Sequence, residues 1–301
     1  MSIQVKNITK VYGKQKALND VSFEILDKGI VGFLGPNGAG KSTMMKILTC
    51  YIPQTSGLAT VCGFDVANET LNVRNNIGYL PEHNPLYLDM YVKEFLNFVG
   101  GIYKVKNIDK RVKEMIDLTG LQIEQNKKIG ALSKGYRQRV GLAQAMIHNP
   151  KVLIMDEPTT GLDPNQLEEI RTLIKNLGKE KTVMLSTHIM QEVEAICDRV
   201  IIINQGQIVA NDKTQHLQKS TIVQTISVEF DSDVDVNLLL KISTVTEAKL
   251  NSNKTWLLTS NSEEDIRKLI FDFAVSNKLT VLALNKVEQK MEDVFKDLTK
   301  K

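Results

Sequence analysis

The 301-residue chain is 42% hydrophobic and 24% charged, the composition of an ordinary globular protein with length for two domains and a sizeable core. Its 38 basic and 35 acidic side chains nearly balance at a net charge of +3 and are spread along the sequence, which leaves no electrostatic case for nucleic acid as the main partner. No apolar run approaches the ~20 residues that span a bilayer, and the N-terminus has no basic segment followed by an apolar one, so any membrane role is expected to pass through a partner. Cys50, Cys62 and Cys197 have no metal-ligand spacing and read as reduced core thiols of a cytoplasmic protein. The basic end, 296–301, reads as solvated.

In chain order, the first strong element is the apolar run 30–34, suited to a buried strand. It leads into Gly35-Pro36-Asn37-Gly38-Ala39-Gly40-Lys41-Ser42-Thr43, a phosphate-binding loop. Glycines at 35, 38 and 40 let the backbone turn its N–H groups around phosphate oxygens, where a side chain would block the approach. Lys41 reaches the β- and γ-phosphates, and Ser42 offers its hydroxyl to Mg²⁺. A helix over 41–51 presents its positive N-terminal end to the anion. The stretch 85–150 has helical spacing at 92–98 and again at 108–118, and reads as a helical insertion.

Val152-Leu153-Ile154-Met155-Asp156-Glu157 is an apolar strand ending in paired carboxylates. Such a pair also serves to cap a following helix, but Pro158 and the apolar run favour a catalytic role, so loop and strand together predict hydrolysis of a nucleoside triphosphate. Further runs at 183–186 and 200–203 are continuous and apolar rather than alternating, the pattern of a largely parallel sheet buried on both faces. The core is α/β. Asn204-Gln205-Gly206-Gln207 marks a turn between strands, and the polar segment 211–220 a domain boundary. Beyond it the expected order is strand 222–230, helix 236–241, strands 245–250 and 255–259, helix 263–276 and strand 279–284, the ferredoxin-like split βαβ order, with a closing helix at 291–298. Without a phosphate loop, clustered carboxylates or a His/Cys set, this α+β region, 221–301, reads as a small regulatory or docking domain beside a nucleotide-binding domain, 1–215. The nucleotide motifs do not repeat, so one set per chain is expected.

Leu132-Ser133-Lys134-Gly135-Tyr136-Arg137-Gln138-Arg139 precedes a helix predicted to run to about residue 148. Alone, such a string describes a capped surface helix with a basic face. Lying about 20 residues before the acidic strand, it resembles the signature motif of ATP-binding cassette (ABC) ATPases, whose second copy presents this helix N-terminus to the γ-phosphate. The chemistry suits that role: Ser133 can cap the helix, its hydroxyl and nearby N–H groups can bind an anion, and Gly135 keeps the approach clear. Tyr12, in Val-Tyr-Gly, resembles the family's adenine-stacking aromatic. Glu82, in Tyr-Leu-Pro-Glu, stands where the family has the glutamine that touches the metal and the attacking water and senses the transporter. Thr160-Gly161-Leu162-Asp163 resembles the loop that crosses the dimer interface, with Pro164 starting the next helix. His188, in Ser-Thr-His, resembles the γ-phosphate switch histidine, whereas the other histidines read as surface or structural.

The resemblance covers roughly 3–212 and implies a P-loop NTPase fold with a RecA-like core, a helical subdomain at about 85–150, and ATP with Mg²⁺ as ligands. It implies that Lys41 and the loop N–H groups hold the phosphates, that Ser42, Asp156 and Glu82 serve the metal, that Glu157 polarises the attacking water, and that His188 fixes the γ-phosphate. It also implies a homodimer in which Ser133, Gly135 and Asp163 face the partner's ATP, and a separate membrane permease engaged through 85–101 at the inner face of the cell membrane. Lys134 and Tyr136 replace a glycine and a glutamine of the commonest signature, and Glu82 replaces glutamine. These departures are similar to those of ABC-2 type exporters, as is the late segment Glu292-Asp293-Val294-Phe295. More narrowly, 79–95 resembles the ATP-binding subunit associated with gliding motility in Bacteroidetes. The alternative is a soluble ABC ATPase uncoupled from transport, but the second cassette of translation factors and the coiled coils or zinc cysteines of repair members are missing from this sequence. A switch without turnover is disfavoured by Glu157 and His188.

Overall fold

The continuous apolar runs become the most deeply buried strands of the molecule. The computed structural model describes residues 1–26, 28–219, 224–262, 264–287 and 291–299, divided into the compact units Met1–Thr214 and Gln215–Lys300. In the first unit, β1 (Ile3–Tyr12), β2 (Gln15–Ile25) and β3 (Gly29–Leu34) precede α1 (Lys41–Leu48). Next come β4 (Ser56–Val61), β5 (Phe64–Asp65), α2 (Thr70–Asn76) and β6 (Ile77–Leu80). The helical region holds α3 (Val92–Ile102), α4 (Ile108–Leu118), a 3-10 turn (Ile129–Ala131) and α5 (Lys134–Met146). Then follow β7 (Val152–Asp156), α6 (Pro164–Glu180), β8 (Thr182–Thr187), α7 (Met190–Ile196), β9 (Arg199–Asn204) and β10 (Gln207–Lys213), with α8 (Thr214–Lys219) at the division.

One sheet has the order β10-β9-β3-β8-β7-β6. Its pairs are parallel from β9 to β6, while β10 returns antiparallel beside β9. Every residue of β7 and β8 is buried, as expected of parallel strands covered on both faces. A second sheet, β2-β1-β4-β5, is antiparallel throughout. Met44, Met45, Ile47 and Leu48 of α1 are fully buried in one cluster with Ile3 and Val5 of β1, Phe33 of β3 and Ile154 of β7. Each contributes roughly 1.5–3 kcal/mol by leaving water, which fixes the helix that follows the phosphate loop. Helix α1 stops at Leu48, short of the expected residue 51, because Cys50 takes a left-handed φ of 57°. The antiparallel sheet was not anticipated from sequence: β1 changes register between Val5 and Ile8, which breaks the alternation that would announce it.

Helices α3, α4 and α5 pack on one another, and α5 crosses β6. Strand and helix approach closely at Gly78, where an added Cβ would collide with the carbonyl of Ala145. Helix α3 runs on past residue 98 to Ile102, and α5 ends at Met146, two residues earlier than expected.

The second unit contains β11 (Gln224–Phe230), α9 (Val236–Leu239), β12 (Val245–Ser252), β13 (Thr255–Ser260), α10 (Arg267–Ser276), β14 (Val281–Val287) and α11 (Met291–Thr299). Its antiparallel sheet has the order β12-β13-β11-β14. Ile226, Val228 and Phe230 alternate inward along β11 to meet Trp256, Leu258 and Ile270. Helix α9 is a single turn capped by Asp235, shorter than the expected 236–241. Helix α10 begins at Arg267 rather than 263, where Asp265 accepts from the Arg267 N–H at 3.0 Å. The expected domain start at 220–221, strand start at 222 and helix start at 263 lie outside the described residues, as do 300–301. Among the described residues, no helix is long and apolar enough to cross a membrane.

The packing makes a paired prediction for urea unfolding of the full chain. Gly78→Ala must push strand and helix apart and should cost about 1–3 kcal/mol. Gly101→Ala, inside α3 with nothing within 4 Å of the added methyl, should stabilise by about 0.5–1 kcal/mol. Equal effects would show that the β6–α5 approach is not under that constraint.

Candidate functional site

Three neighbouring strands, β3, β8 and β7, deliver their C-terminal ends to one place, the usual ligand crevice of an open parallel sheet. The phosphate loop follows β3, His188 follows β8, and Asp156 with Glu157 ends β7. Between them opens a cavity of about 420 Å³ lined by Asn37, Gly38, Gly40, Lys41, Ser42, Thr43, Glu82, Asp156, Glu157 and His188. Tyr12, at the end of β1, lines the same cavity with Gln15, Ala17 and Thr160. The Tyr12 ring is half exposed and carries the Lys10 ammonium 5.1 Å from its centroid.

Gly35, Pro36 and Ala39 are not on the lining. The Lys41 ammonium donates to the Gly35 and Pro36 carbonyls at 2.6 and 3.2 Å, so these residues hold the lysine from behind. Ala39 is buried and its N–H closes a turn onto the Pro36 carbonyl at 3.1 Å. The glycine requirement also differs from the expectation. A Cβ on Gly35 would collide with the Ile203 carbonyl, and one on Gly40, where φ is 111°, would lie 2.6 Å from the Ala17 carbonyl. Backbone packing therefore excludes side chains at 35 and 40; only Gly38 is open on its Cβ side, with a φ of 79°. Burial pulls the Lys41 pKa down, while Glu157, Asp156 and Glu82 oppose that shift.

The paired carboxylates are clamped from β8. Ser186 Oγ donates to Asp156 Oδ1 and accepts from the Glu157 N–H at 3.2 Å, which also reaches the Ser186 carbonyl at 3.2 Å. Glu157 takes a left-handed φ of 50°, a strained setting for a glutamate that persists only where the surroundings enforce it. Both its carboxylate oxygens are engaged: His188 Nδ1 lies 2.9 Å from Oε1, and Thr160 Oγ1 donates to Oε2 at 3.2 Å. With the carboxylate as acceptor, Nδ1 is the donor and the other ring nitrogen is left for a ligand. Thr187 donates to buried Glu192 at 2.8 Å and accepts from the Ile189 N–H at 3.1 Å, fixing the chain on both sides of His188.

Ser133, Gly135 and Asp163 do not join this cavity. Ser133 caps α5, accepting from the Tyr136 N–H at 3.4 Å, and Asp163 caps α6, accepting from the Asn165 and Gln166 N–H groups at 3.1 and 2.9 Å. Gly135 is buried, and the Gln166 side chain occupies the space where a Cβ would sit. The approach to Gly135 is thus filled by its own chain rather than kept clear. The contacts of Thr160 and Ser186 with the paired carboxylates escape sequence reasoning, which places Thr160 only in the interface loop, although its hydroxyl lies three positions after Glu157, and gives Ser186 no role within Ser-Thr-His. His148 stacks on Tyr103 at 3.9 Å and meets the Ile77 carbonyl at 2.9 Å, a structural setting, while His83 and His216 are exposed. All three cysteines are free, and burial raises each thiol pKa.

Among the described residues, no set of three or more His, Cys, Asp or Glu side chains is arranged to hold a metal alone. Ser42, Asp156 and Glu82 nevertheless line one cavity, and a hydroxyl with carboxylates is the sparse oxygen set that suits Mg²⁺ held jointly with substrate phosphates.

A family model described as ABC transporter matches residues 18–160. The chain is 33% identical to the linearmycin resistance ATP-binding protein LnrL of Bacillus subtilis (strain 168), covering 99% of this chain and 98% of that protein. It is 37% identical to the bacitracin transport ATP-binding protein BcrA of Bacillus licheniformis over 72% of this chain and 71% of the relative. Among solved structures, the dimeric post-hydrolysis state of the ATP-binding cassette MJ0796 bound to ADP and Pi superimposes with a TM-score of 0.65 at 28% identity, covering 70% of this chain and 98% of that one.

The clamp can be tested by Ser186→Ala, which removes the donor to Asp156 and one acceptor for the Glu157 N–H with little change in volume. It should cost about 1–2 kcal/mol of stability and lower ATP turnover more than ATP affinity. Unchanged turnover would remove Ser186 from the site.

Proposed function

Because this chain belongs to the ABC transporter family as an ATP-binding subunit, we propose that it is the ATP-hydrolysing motor of an exporter, working as a dimer on a separate membrane permease at the inner face of the cell membrane. The observation that carries the reading is the convergence of Lys41, Ser42, Asp156, Glu157 and His188 on one cavity. Phosphoryl transfer to water needs charge neutralisation and a placed nucleophile more than covalent chemistry. In this reading Lys41 and the loop N–H groups of 37–43 take the β- and γ-phosphates. Ser42, Asp156 and Glu82 would hold Mg²⁺, which would neutralise the phosphate charge. Glu157 accepts a proton from the attacking water, and His188 steadies the γ-phosphate through its remaining ring nitrogen. Tyr12 offers its ring to the base.

Ser133 and Gly135 lie on the N-terminal end of α5, away from the cavity of their own chain. A second copy placing that end over the γ-phosphate would complete the site, with Asp163 at the interface, in line with the dimeric cassette to which this chain is similar. Closing on ATP and opening after hydrolysis is then the mechanical output. The region 85–101 is proposed to meet the permease. Tyr87, Leu88, Tyr91 and Phe98 are exposed there, with Tyr87 packed against Phe95 and Phe98. A neighbouring cleft lined by Tyr51, Arg74, Tyr79, Tyr103 and His148 shares Ser42, Glu82 and Asp156 with the nucleotide cavity, so a permease segment seated in it would touch Glu82. The exporter assignment is supported by similarity to LnrL along the whole chain, and 221–301 is proposed as a docking or regulatory domain. The role in gliding motility rests on the resemblance of 79–95.

Glu157→Gln keeps shape while removing the proton acceptor. Turnover should fall about a thousandfold, roughly 4 kcal/mol of transition-state stabilisation, and the variant should accumulate as an ATP-bound dimer on size exclusion, whereas Asp156→Asn should bind Mg²⁺ poorly. Near-normal hydrolysis in Glu157→Gln would place the base elsewhere. Glu82→Gln retains an oxygen acceptor and should keep substantial hydrolysis; complete loss with normal ATP binding would make Glu82 the base. Fractionation separates exporter motor from soluble ATPase: the chain should enter the membrane fraction only with its permease, and equal partitioning without it would overturn that part of the reading.

A further inference from the structure

The strained backbone at Glu157 is held by more than the β8 clamp. On its C-terminal side, the Pro158 carbonyl accepts a hydrogen bond from Gln138 Nε2 at 3.0 Å. Gln138 lies in α5, in the helical insertion, and its other amide atom, Oε1, accepts from Asn84 Nδ2 at 3.2 Å. Asn84 in turn lies two residues beyond Glu82, in the loop that leaves β6. A half-buried amide therefore spends both of its ends on a bridge that joins the Glu82 loop, the signature helix and the peptide next to the catalytic carboxylate. The site is shaped for this bridge: the Asn84 side chain packs where a Cβ on Gly141 would stand, all three of its terminal atoms lying within 2.8 Å of that position.

We propose that Gln138 and Asn84 are positioning residues for hydrolysis: Gln138 fixes the peptide that follows Pro158 and, through that residue's rigid ring, the backbone of Glu157 before it, and Asn84, seated on Gly141, sets Gln138. The inference rests on Glu157 being the group that activates water. Of the hydrogen bonds that hold residues 157–158, those from Ser186, Thr160 and His188 come from the core around β7 and β8, and that from Gln138 comes from the helical insertion. A movement of the insertion or of the Glu82 loop consequently acts on the orientation of Glu157 without touching the residues that hold the nucleotide phosphates. Since a left-handed glutamate is held against its own preference, loss of one pin changes its orientation more than loss of the same bond would change an unstrained residue.

The test is ATP hydrolysis and ATP binding by the full chain. Gln138→Leu, similar in volume but without donor or acceptor, should lower kcat about tenfold, the effect of one net hydrogen bond of about 1.4 kcal/mol, with KM for ATP unchanged. Gly141→Ala displaces Asn84 without altering either amide, and replaces glycine by the better helix former. It should lower kcat in the same direction while the melting temperature holds or rises, a combination that a purely structural role does not give. In a Glu157→Gln background, Gln138→Leu should bring no further loss of the residual hydrolysis, because the residue it positions has already been disabled. Unchanged kcat in Gln138→Leu, a parallel fall in kcat and stability for Gly141→Ala, or a second tenfold loss in the Glu157→Gln background would each overturn the proposal. Normal hydrolysis in Glu157→Gln alone would instead overturn the assignment of the base, so the failures are distinguishable.

Discussion

The structure turns on the burial of one ammonium group among carboxylates at the open end of a parallel sheet. Lys41 is 8% exposed, and burial alone would push it towards neutrality. The Gly35 and Pro36 carbonyls accept hydrogen bonds from it, and Glu157, Asp156 and Glu82 oppose the desolvation. The carbonyls belong to the lysine's own loop, but the three carboxylates are near Lys41 only because β3, β8, β7 and β6 lie side by side in that order. The strand order is therefore an electrostatic requirement of the site as well as a packing solution, since a buried charge is tolerated only when paired and hydrogen-bonded.

A second constraint acts on Glu157. Its left-handed backbone turns the side chain out of the strand direction just where β7 ends, and the cost is offset by bonds from Ser186, Thr160, His188 and, through Pro158, Gln138. Strain concentrated at such a residue gives a site that responds to small displacements of its supports, because several groups must agree on one geometry. The support from the helical insertion differs in kind from those of the sheet. It reaches the carboxylate from a region whose exposed aromatic side chains and neighbouring cleft are available to a partner.

Much of the site was legible one motif at a time. Gly35 to Thr43, Asp156 and Glu157 are short-range patterns whose chemistry is carried by residue type and spacing, whereas the role of His188 comes through the family resemblance; the strands that bear them are continuous apolar runs long enough to recognise. The antiparallel sheet of β1, β2, β4 and β5 escaped because its alternation is interrupted by register changes and by residues such as Asn7 with a φ of 50°. Helix ends moved by a few residues wherever one local hydrogen bond or one left-handed residue decided them, as at Cys50 and Asp265. The role of Ser186 was invisible because its partners, Asp156 and Glu157, lie about 30 positions away in sequence and meet it only through β7–β8 pairing.

By itself, the sequence determined which groups are available for phosphate chemistry, that they sit at the ends of buried strands, and that the C-terminal region carries none of them. Those facts follow from local periodicity and from functional groups that cannot be exchanged for others. Only the tertiary structure decided why Gly35 and Gly40 must be glycine, since the atoms that exclude a side chain there belong to Ile203 and Ala17. It likewise decided that Gly135 is covered by Gln166, and that Asn84, Gln138 and Pro158 form one bridge. The physical reason is the same in each case: close approach and hydrogen-bond direction are properties of residue pairs far apart in the chain, and no pattern along a single strand or helix encodes the distance between them.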